Sequence, residues 1–233
     1  MRTAQWNDAV SVIDRVTLVL SAFGPTDTRV GVSELARRAN LPKSTVSRLV
    51  TELVEHRYLE RDGSGVRLGL RLFEMGELAA RPNALREVAL PVMAQLRDAT
   101  GQTVQLGVLD GRDVLCIAVS RGRVAPGGHV RVGERRAAET TAMGVAMLAH
   151  LPVDVDTARD RAEQLDRVRE VGFALACEAA GTRSVASAIL VDASEPVAAL
   201  SVTGRADLCD AASIGPAVRT AALAIGRELS AFH

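Results

Sequence analysis

Aromatic residues make up only 3% of this 233-residue chain, and lysine occurs once, at Lys43. With one Trp, one Tyr and four Phe, its cores must be assembled from Val, Leu, Ala and Ile, for which an apolar content of 48% suffices. Cysteine is sparse and odd in number: Cys116, Cys177 and Cys209 lie far apart and form no C-x-x-C pair. That pattern speaks against a disulfide framework and fits a reducing cytoplasm. No apolar run approaches the roughly 18 to 20 residues of a membrane span, and residues 1–7 lack the apolar centre of a signal peptide. A cytoplasmic protein without membrane attachment is expected. The formal net charge is zero, which by itself argues neither for nor against an anionic partner. Metal-protease, nucleophile-elbow, phosphate-loop and dinucleotide-binding motifs are all missing, and the four histidines show no ligand spacing. Asp110-Gly111-Arg112-Asp113 reads better as a hairpin turn than as a metal site. No catalytic residue, metal or cofactor is therefore expected.

What is present is concentrated first in residues 33–53. Ser33 is placed to cap a helix whose apolar face is Leu35, Ala36 and Ala39. Asn40 sits where the chain reverses and tolerates a left-handed backbone. Pro42 suits the start of the next helix. In that helix Val46, Leu49, Val50 and Leu53 fall at i, i+3, i+4 and i+7 and face inward. Ser44, Thr45, Ser47, Arg48 and Thr51 lie elsewhere around the cylinder. Two short helices with a polar second face are how a helix-turn-helix presents side chains to the major groove. Ser44, Thr45, Ser47 and Arg48 are the expected base-reading set, and Lys43 is expected at a phosphate. A helical hairpin with a solvated polar face is the competing reading.

The residues that follow favour DNA. Residues 58–61 read as a strand, Asp62-Gly63-Ser64-Gly65 as a turn, and Val66-Arg67-Leu68 as the returning strand. A hairpin directly after a recognition helix is a wing, with Arg61 and Arg67 as candidate phosphate or minor-groove contacts, or simply as solvated arginines. Before the motif, Val12, Ile13, Val16, Val19, Leu20 and Phe23 mark an amphipathic helix ending near Gly24-Pro25. Between residues 29 and 67 there are eight basic residues against five acidic ones. So modest a bias means that binding leans on shape as well as on counterion release.

Beyond residue 70 the pattern turns mixed. A connecting helix over residues 72–79 is interrupted at Arg81-Pro82-Asn83, and Asn83 is placed to cap a helix that Gly101 closes. Alternating Val104, Leu106 and Val108, an Asp110-Gly111 turn and the apolar residues 114–119 make a hairpin. Helices are expected over 141–149, 156–171 and 206–232, and strands over 183–191 and 197–203. Antiparallel strands flanked by helices give an α+β domain, able to hold a small ligand between sheet and helices. The expected organisation is a winged helix-turn-helix over residues 1–70, a linker helix over 71–84, and an effector-binding α/β domain over 85–233.

In this order, the segments resemble transcriptional regulators of the isocitrate lyase regulator (IclR) family over nearly the whole length. The winged-helix pattern lies in residues 33–38, 41–49 and 58–61. The effector-domain pattern lies in Leu85-Arg86-Glu87-Val88-Ala89, Gly101-Gln102-Thr103-Val104-Gln105-Leu106, Thr141-Ala142-Met143-Gly144 and Ala199-Leu200-Ser201-Val202-Thr203-Gly204. The resemblance implies a homodimer or dimer of dimers on a palindromic operator in double-stranded DNA, acting as a local regulator, here expected to be a repressor, of a catabolic operon. It implies a GAF-like effector domain sensing a small metabolite of the organic or aromatic acid type. The family's pocket positions carry over to Ala142, Met143, Gly144, Ser184, Ser201 and Thr203. Val145 stands where a lysine is common, and Ser184 where a cysteine is common.

Ser201 and Thr203 are two apart on a strand, so their hydroxyls share a side. Thr141 is placed to cap the helix that starts there, leaving the N–H groups of Ala142, Met143 and Gly144 for a carboxylate. Leu106 and Met147 are expected to wall the apolar part, with Cys177 beside it. Ser201 and Thr203 as strand-end partners of backbone groups, and Met143 with Met147 as plain core, are the competing readings. The rival function is a DNA-bound regulator without a small ligand, responding through Cys116 or Cys177 redox chemistry or through a protein partner.

Overall fold

The computed structural model describes residues 11–123, 130–152, 159–178, 181–191 and 195–231. His129, His233, residues 1–7, residues 156–158 of one expected helix and Phe232 fall outside these. The chain divides into two compact units between Ala80 and Arg81.

The first unit opens with α1 (Val12–Ser21). Ser11 caps it: its hydroxyl accepts from the Asp14 N–H, and the Asp14 carboxylate accepts from the Ser11 N–H, both at 3.0 Å. Next come α2 (Val32–Ala39) and α3 (Lys43–Glu55), joined through Asn40, whose φ of 52° is left-handed as its residue type allows. Ser33 is not the cap of α2. The helix starts at Val32 with Gly31 as its cap, two residues before Ser33, and has no side-chain cap. The wing is β1 (Leu59–Asp62) against β2 (Gly65–Leu68), antiparallel with Glu60 opposite Arg67. Val30 adds a bridge, exchanging two 2.9 Å backbone hydrogen bonds with Val66. Val19, Leu35, Val46, Leu49, Val50, Leu53, Leu59 and Val66 form the core, so the inward stripe of α3 is the one its spacing predicts.

α4 (Leu70–Glu77) ends at Leu78. The expected interruption at residues 81–83 is displaced, because α5 (Ala80–Thr100) runs straight through Pro82 and Asn83. A proline at the third helical position removes an N–H that has no intrahelical acceptor anyway. Asn83 accepts from the Arg86 guanidinium at 3.4 Å instead of capping.

The second unit is built on six antiparallel strands in the order β5-β4-β3-β8-β7-β6. They are β3 (Thr103–Asp110), β4 (Asp113–Ser120), β5 (Arg135–Ala137), β6 (Ala174–Glu178), β7 (Thr182–Leu190) and β8 (Pro196–Arg205). The two edge strands, β5 and β6, were not expected; they are the shortest and carry no alternating pattern. α5 and α8 (Ala211–Ser230) cover one face, packing Leu85, Met93, Ile214, Val218 and Ile225 on Val104, Leu106, Val185, Leu200 and Val202. α6 (Ala142–Leu148) and α7 (Arg159–Val171) cover the other, with Met143, Met147 and Leu165 near Val114, Ala186 and Ala199. α8 starts five residues later than expected. Asp210 caps it, accepting from the Ala212 and Ser213 N–H groups at 3.2 Å each. No helix among the described residues is long and apolar enough to cross a membrane.

One close approach fixes α6. A Cβ on Gly144 would lie 2.0 Å from the Ala138 carbonyl oxygen in the preceding 3-10 turn (Ala138–Thr140). Gly144→Ala is therefore expected to destabilise the chain by about 1–3 kcal/mol through overpacking. Urea unfolding checks this; an unchanged midpoint would contradict the packing described.

Candidate functional site

Lys43, Ser44, Ser47 and Arg48 are exposed along α3, and Thr45 is half-buried. Arg61 and Arg67 are exposed on the wing. Their charges are not equally available. Glu60 accepts from Arg67 at 2.8 and 2.9 Å, so this guanidinium is engaged across the hairpin. Arg48 lies 3.8 Å from Glu52, one turn along the helix, and both are well exposed. Thr51 donates back to the Ser47 carbonyl at 3.1 Å. Arg29, Lys43 and Arg61 have no ion-pair partner among the described residues.

Arg29 was absent from the sequence-based set. Its stem crosses the wing turn, with Cγ 2.7 Å from where a Gly65 Cβ would stand and a guanidinium nitrogen 3.3 Å from the same point on Gly63. Glycine at both positions leaves that space open. Only the Val30–Val66 bridge brings Arg29 there, so nothing in the local pattern announces it.

Arg37 and Arg38 brace this unit. Glu34 accepts from Arg37 at 2.7 and 2.9 Å and from Arg38 at 2.8 Å. Arg38 also bonds Asp27 and donates to the Ala22 carbonyl at 3.1 Å. These bonds hold the Glu34 carboxyl down at about 2 and lower Asp27 as well.

A pocket opens on the α6 face of the sheet, lined by Gln105, Val114, Cys116, Val130, Glu134, Arg136, Thr141, Ala142, Met143, Ser184 and Ser201. It holds about 330 Å³ of space, its open mouth included. Gln105 and Ser201 face each other in register across β3 and β8, and Ser184 and Thr203 across β7 and β8. The Gln105 amide donates to the Thr203 hydroxyl at 3.3 Å, and that hydroxyl lies 2.7 Å from the Ser184 hydroxyl. The Ser201 hydroxyl is 1% exposed at the residue level and has no hydrogen-bond partner. A buried hydroxyl so left calls for an explanation.

Of the nine residues expected at the effector site, Ala142, Met143, Ser184 and Ser201 line the pocket, and Thr203 backs it through Ser184. Leu106 does not: it shares the opposite face with Val104 and packs under α5 and α8. Cys177 is exposed and pairs with Arg183, whose guanidinium reaches the Cys209 carbonyl on the α8 side; the pocket-facing pair is its neighbour, Ala176 with Ser184. Gly144 offers no N–H, because Thr141 accepts that hydrogen at 3.0 Å. Met147 is fully buried core. Gln105, Val114, Cys116, Val130, Glu134 and Arg136 were missed. Burial pushes the Cys116 thiol up to about 11, so it stays protonated and unreactive. Cys209 is buried and shifted the same way. Among the described residues no group of three or more His, Cys, Asp or Glu gathers as a metal site.

Residues 12–63 match the model of the IclR helix-turn-helix domain, and residues 79–161 that of the bacterial transcriptional regulator IclR C-terminal domain. The chain belongs to the IclR family of transcriptional regulators. This IclR-family chain is 28% identical to the HTH-type transcriptional regulator XynR of Escherichia coli, over 94% of its own length and 97% of that protein. It is 26% identical to the acetate operon repressor of Salmonella typhimurium, covering 87% of this chain and 82% of that one. An IclR homolog from Microbacterium hydrocarbonoxydans, crystallised with 4-hydroxybenzoate, superposes with a TM-score of 0.84 at 29% identity, covering 95% of this chain and all of that one. Thermotoga maritima IclR shares the fold, with a TM-score of 0.76 at 23% identity over 94% and 98% of the two chains. In this IclR regulator the DNA-binding unit and the pocket-bearing unit are thus both family features.

Glu34 carries a pH prediction. Its folded pKa lies below the ordinary 4.5, so its contribution is complete above that value and fades as pH falls toward 2. Asp27 and Glu60 act in the same direction. Urea unfolding at descending pH is expected to show a falling midpoint, and Glu34→Gln to flatten that fall. Parallel profiles for the two proteins would contradict the bracing role.

Proposed function

We propose that this chain is a ligand-responsive repressor, in which residues 1–70 read a palindromic operator, residues 85–233 sense a small organic acid, and 71–84 connect them. The observation that carries the sensing half is the buried, unpartnered Ser201 hydroxyl in a pocket with apolar walls. The reading half is supported by the exposed row Lys43, Ser44, Ser47 and Arg48 on a helix whose other side is core. Repression of an operon is supported by similarity to the acetate operon repressor, and a cytoplasmic setting and a catabolic operon belong to the same proposal. An acid of about the size of 4-hydroxybenzoate is supported by the ligand of the Microbacterium neighbour.

A homodimer, alone or paired into a dimer of dimers, completes the reading. Val12 and Ile13 on α1, with Leu70, Phe73 and Leu78 on and after α4, are all more than half exposed. So much apolar surface on one unit is what a second copy would cover. A palindromic site is the matching geometry on DNA. The ligand alters operator affinity only by binding two arrangements of that dimer unequally. Of the cysteine-based alternative, Cys116 has little support, because its thiol is buried and protonated, which leaves the exposed Cys177 to carry it.

Gel-shift titration with the DNA flanking the chain's own gene tests the proposal. Wild type should bind at low salt and be released by the acid, and Ser47→Ala with Arg48→Ala should weaken binding at least about 10-fold. Release by oxidant rather than by acid would favour the thiol reading. Among the wing and helix cations, Arg29→Ala, Lys43→Ala and Arg61→Ala should each lower the slope of log affinity against log salt by about 0.9. Arg67→Ala should change it little, since Glu60 already holds that charge; a full loss of slope in Arg67→Ala alone would refute this sorting.

A further inference from the structure

We propose that Glu60 is a positioning residue for operator binding: one carboxylate oxygen keeps Arg67 off the DNA, and the other fixes how α4 leaves the reading unit, and so how two copies set their α3 helices on a palindrome. The inference rests on the dimer proposed above and assigns a residue that sets its geometry.

Packing does little to orient α4. None of its residues is buried, and only Leu72 is half-buried. Its direction is therefore left to the few points where its first turn meets the wing and the turn that follows α3. Gly69 is one of them. Its N–H donates to the Tyr58 carbonyl at 2.8 Å, and a Cβ there would lie 2.2 Å from the Arg57 carbonyl oxygen. The chain entering α4 thus lies flush on the chain leaving α3.

Glu60 is the second point. The residue before α4 is Gly69, which offers no side-chain cap, and the first N–H of a helix has no intrahelical acceptor. Glu60 supplies one from the wing: its Oε1 accepts from the Leu70 N–H at 3.3 Å. Negative charge at a helix start is also favoured by the helix dipole. Its Oε2 accepts from Arg67 at 2.8 and 2.9 Å, directly across the hairpin. Arg67 and the Leu70 N–H together hold the carboxyl below its ordinary range, so it stays charged. A third point, Glu74, accepts from Arg71 at 3.1 Å and lies 3.9 Å from Arg57. That longer pair is well exposed and screened, which leaves Glu60 as the firmer anchor.

The two tasks separate chemically. An amide at position 60 still accepts from the Leu70 N–H but no longer neutralises Arg67, whereas a methyl group does neither. Footprinting on the DNA flanking the chain's own gene locates the palindrome, and gel shifts of the full chain then compare it with one isolated half-site. Wild type is expected to prefer the palindrome by about 100-fold or more. In Glu60→Ala that advantage should fall at least about 10-fold, with half-site binding kept and the dimer intact by sedimentation, and in Glu60→Gln it should stay within about threefold of wild type. On the half-site both variants should steepen the slope of log affinity against log salt by about 0.9, and adding Arg67→Ala should remove that gain. An advantage unchanged in Glu60→Ala, or lost equally in Glu60→Gln, would overturn the positioning role. Loss of half-site binding together with palindrome binding would reduce Glu60 to a stabilising residue and overturn it as well. A wild type without any palindrome advantage would remove the dimer reading itself, and this inference with it.

Discussion

A hydroxyl group buried where nothing bonds it is the constraint on which the proposed sensing role of the second unit turns. One face of the sheet of the second unit is aliphatic and sealed by α5 and α8. The other carries Gln105, Ser184, Ser201 and Thr203, all nearly inaccessible. Three of them satisfy one another in a chain of hydrogen bonds. The fourth, Ser201, does not. A buried polar group without a partner lowers stability, and a ligand that supplies one recovers it.

The DNA-binding unit follows a different economy of charge. Several of its arginines are held by carboxylates: Arg37 and Arg38 by Glu34 and Asp27, Arg48 by Glu52, Arg57 and Arg71 by Glu74, Arg67 by Glu60. These pairs fix α2 and the wing in place. Arg29, Lys43 and Arg61 have no such partner among the described residues, and in the proposed reading they are the cations that meet phosphates. With so few uncommitted cations, affinity depends on their placement beside α3 more than on their number, in keeping with the zero net charge of the chain.

Much of the fold was legible because it rests on local rules. The inward stripe of α3, the left-handed Asn40 and the Thr141 cap each follow from residue type and spacing. The errors have equally physical causes. Ser33 was read as a cap because serine favours that role, but the helix began earlier on Gly31. Leu106 was assigned to the pocket although it shares the face of Val104; its neighbour Gln105 is the residue that alternation aims at Ser201. Cys177 failed by the same one-residue parity, since Ala176 is what pairs with Ser184. Arg136 was beyond reach because it sits on a three-residue edge strand with no periodic signal, and Arg29 because a single bridge from Val30 to Val66 delivers it to the wing.

The most direct measurement is the unfolding free energy of Ser201→Ala against wild type with no small molecule present. If the hydroxyl is held unbonded for a ligand, removing it should leave the free protein as stable or more stable, by up to about 1–3 kcal/mol. A variant less stable than wild type by that amount would mean that the hydroxyl already has a structural partner, and the account of the pocket would be contradicted.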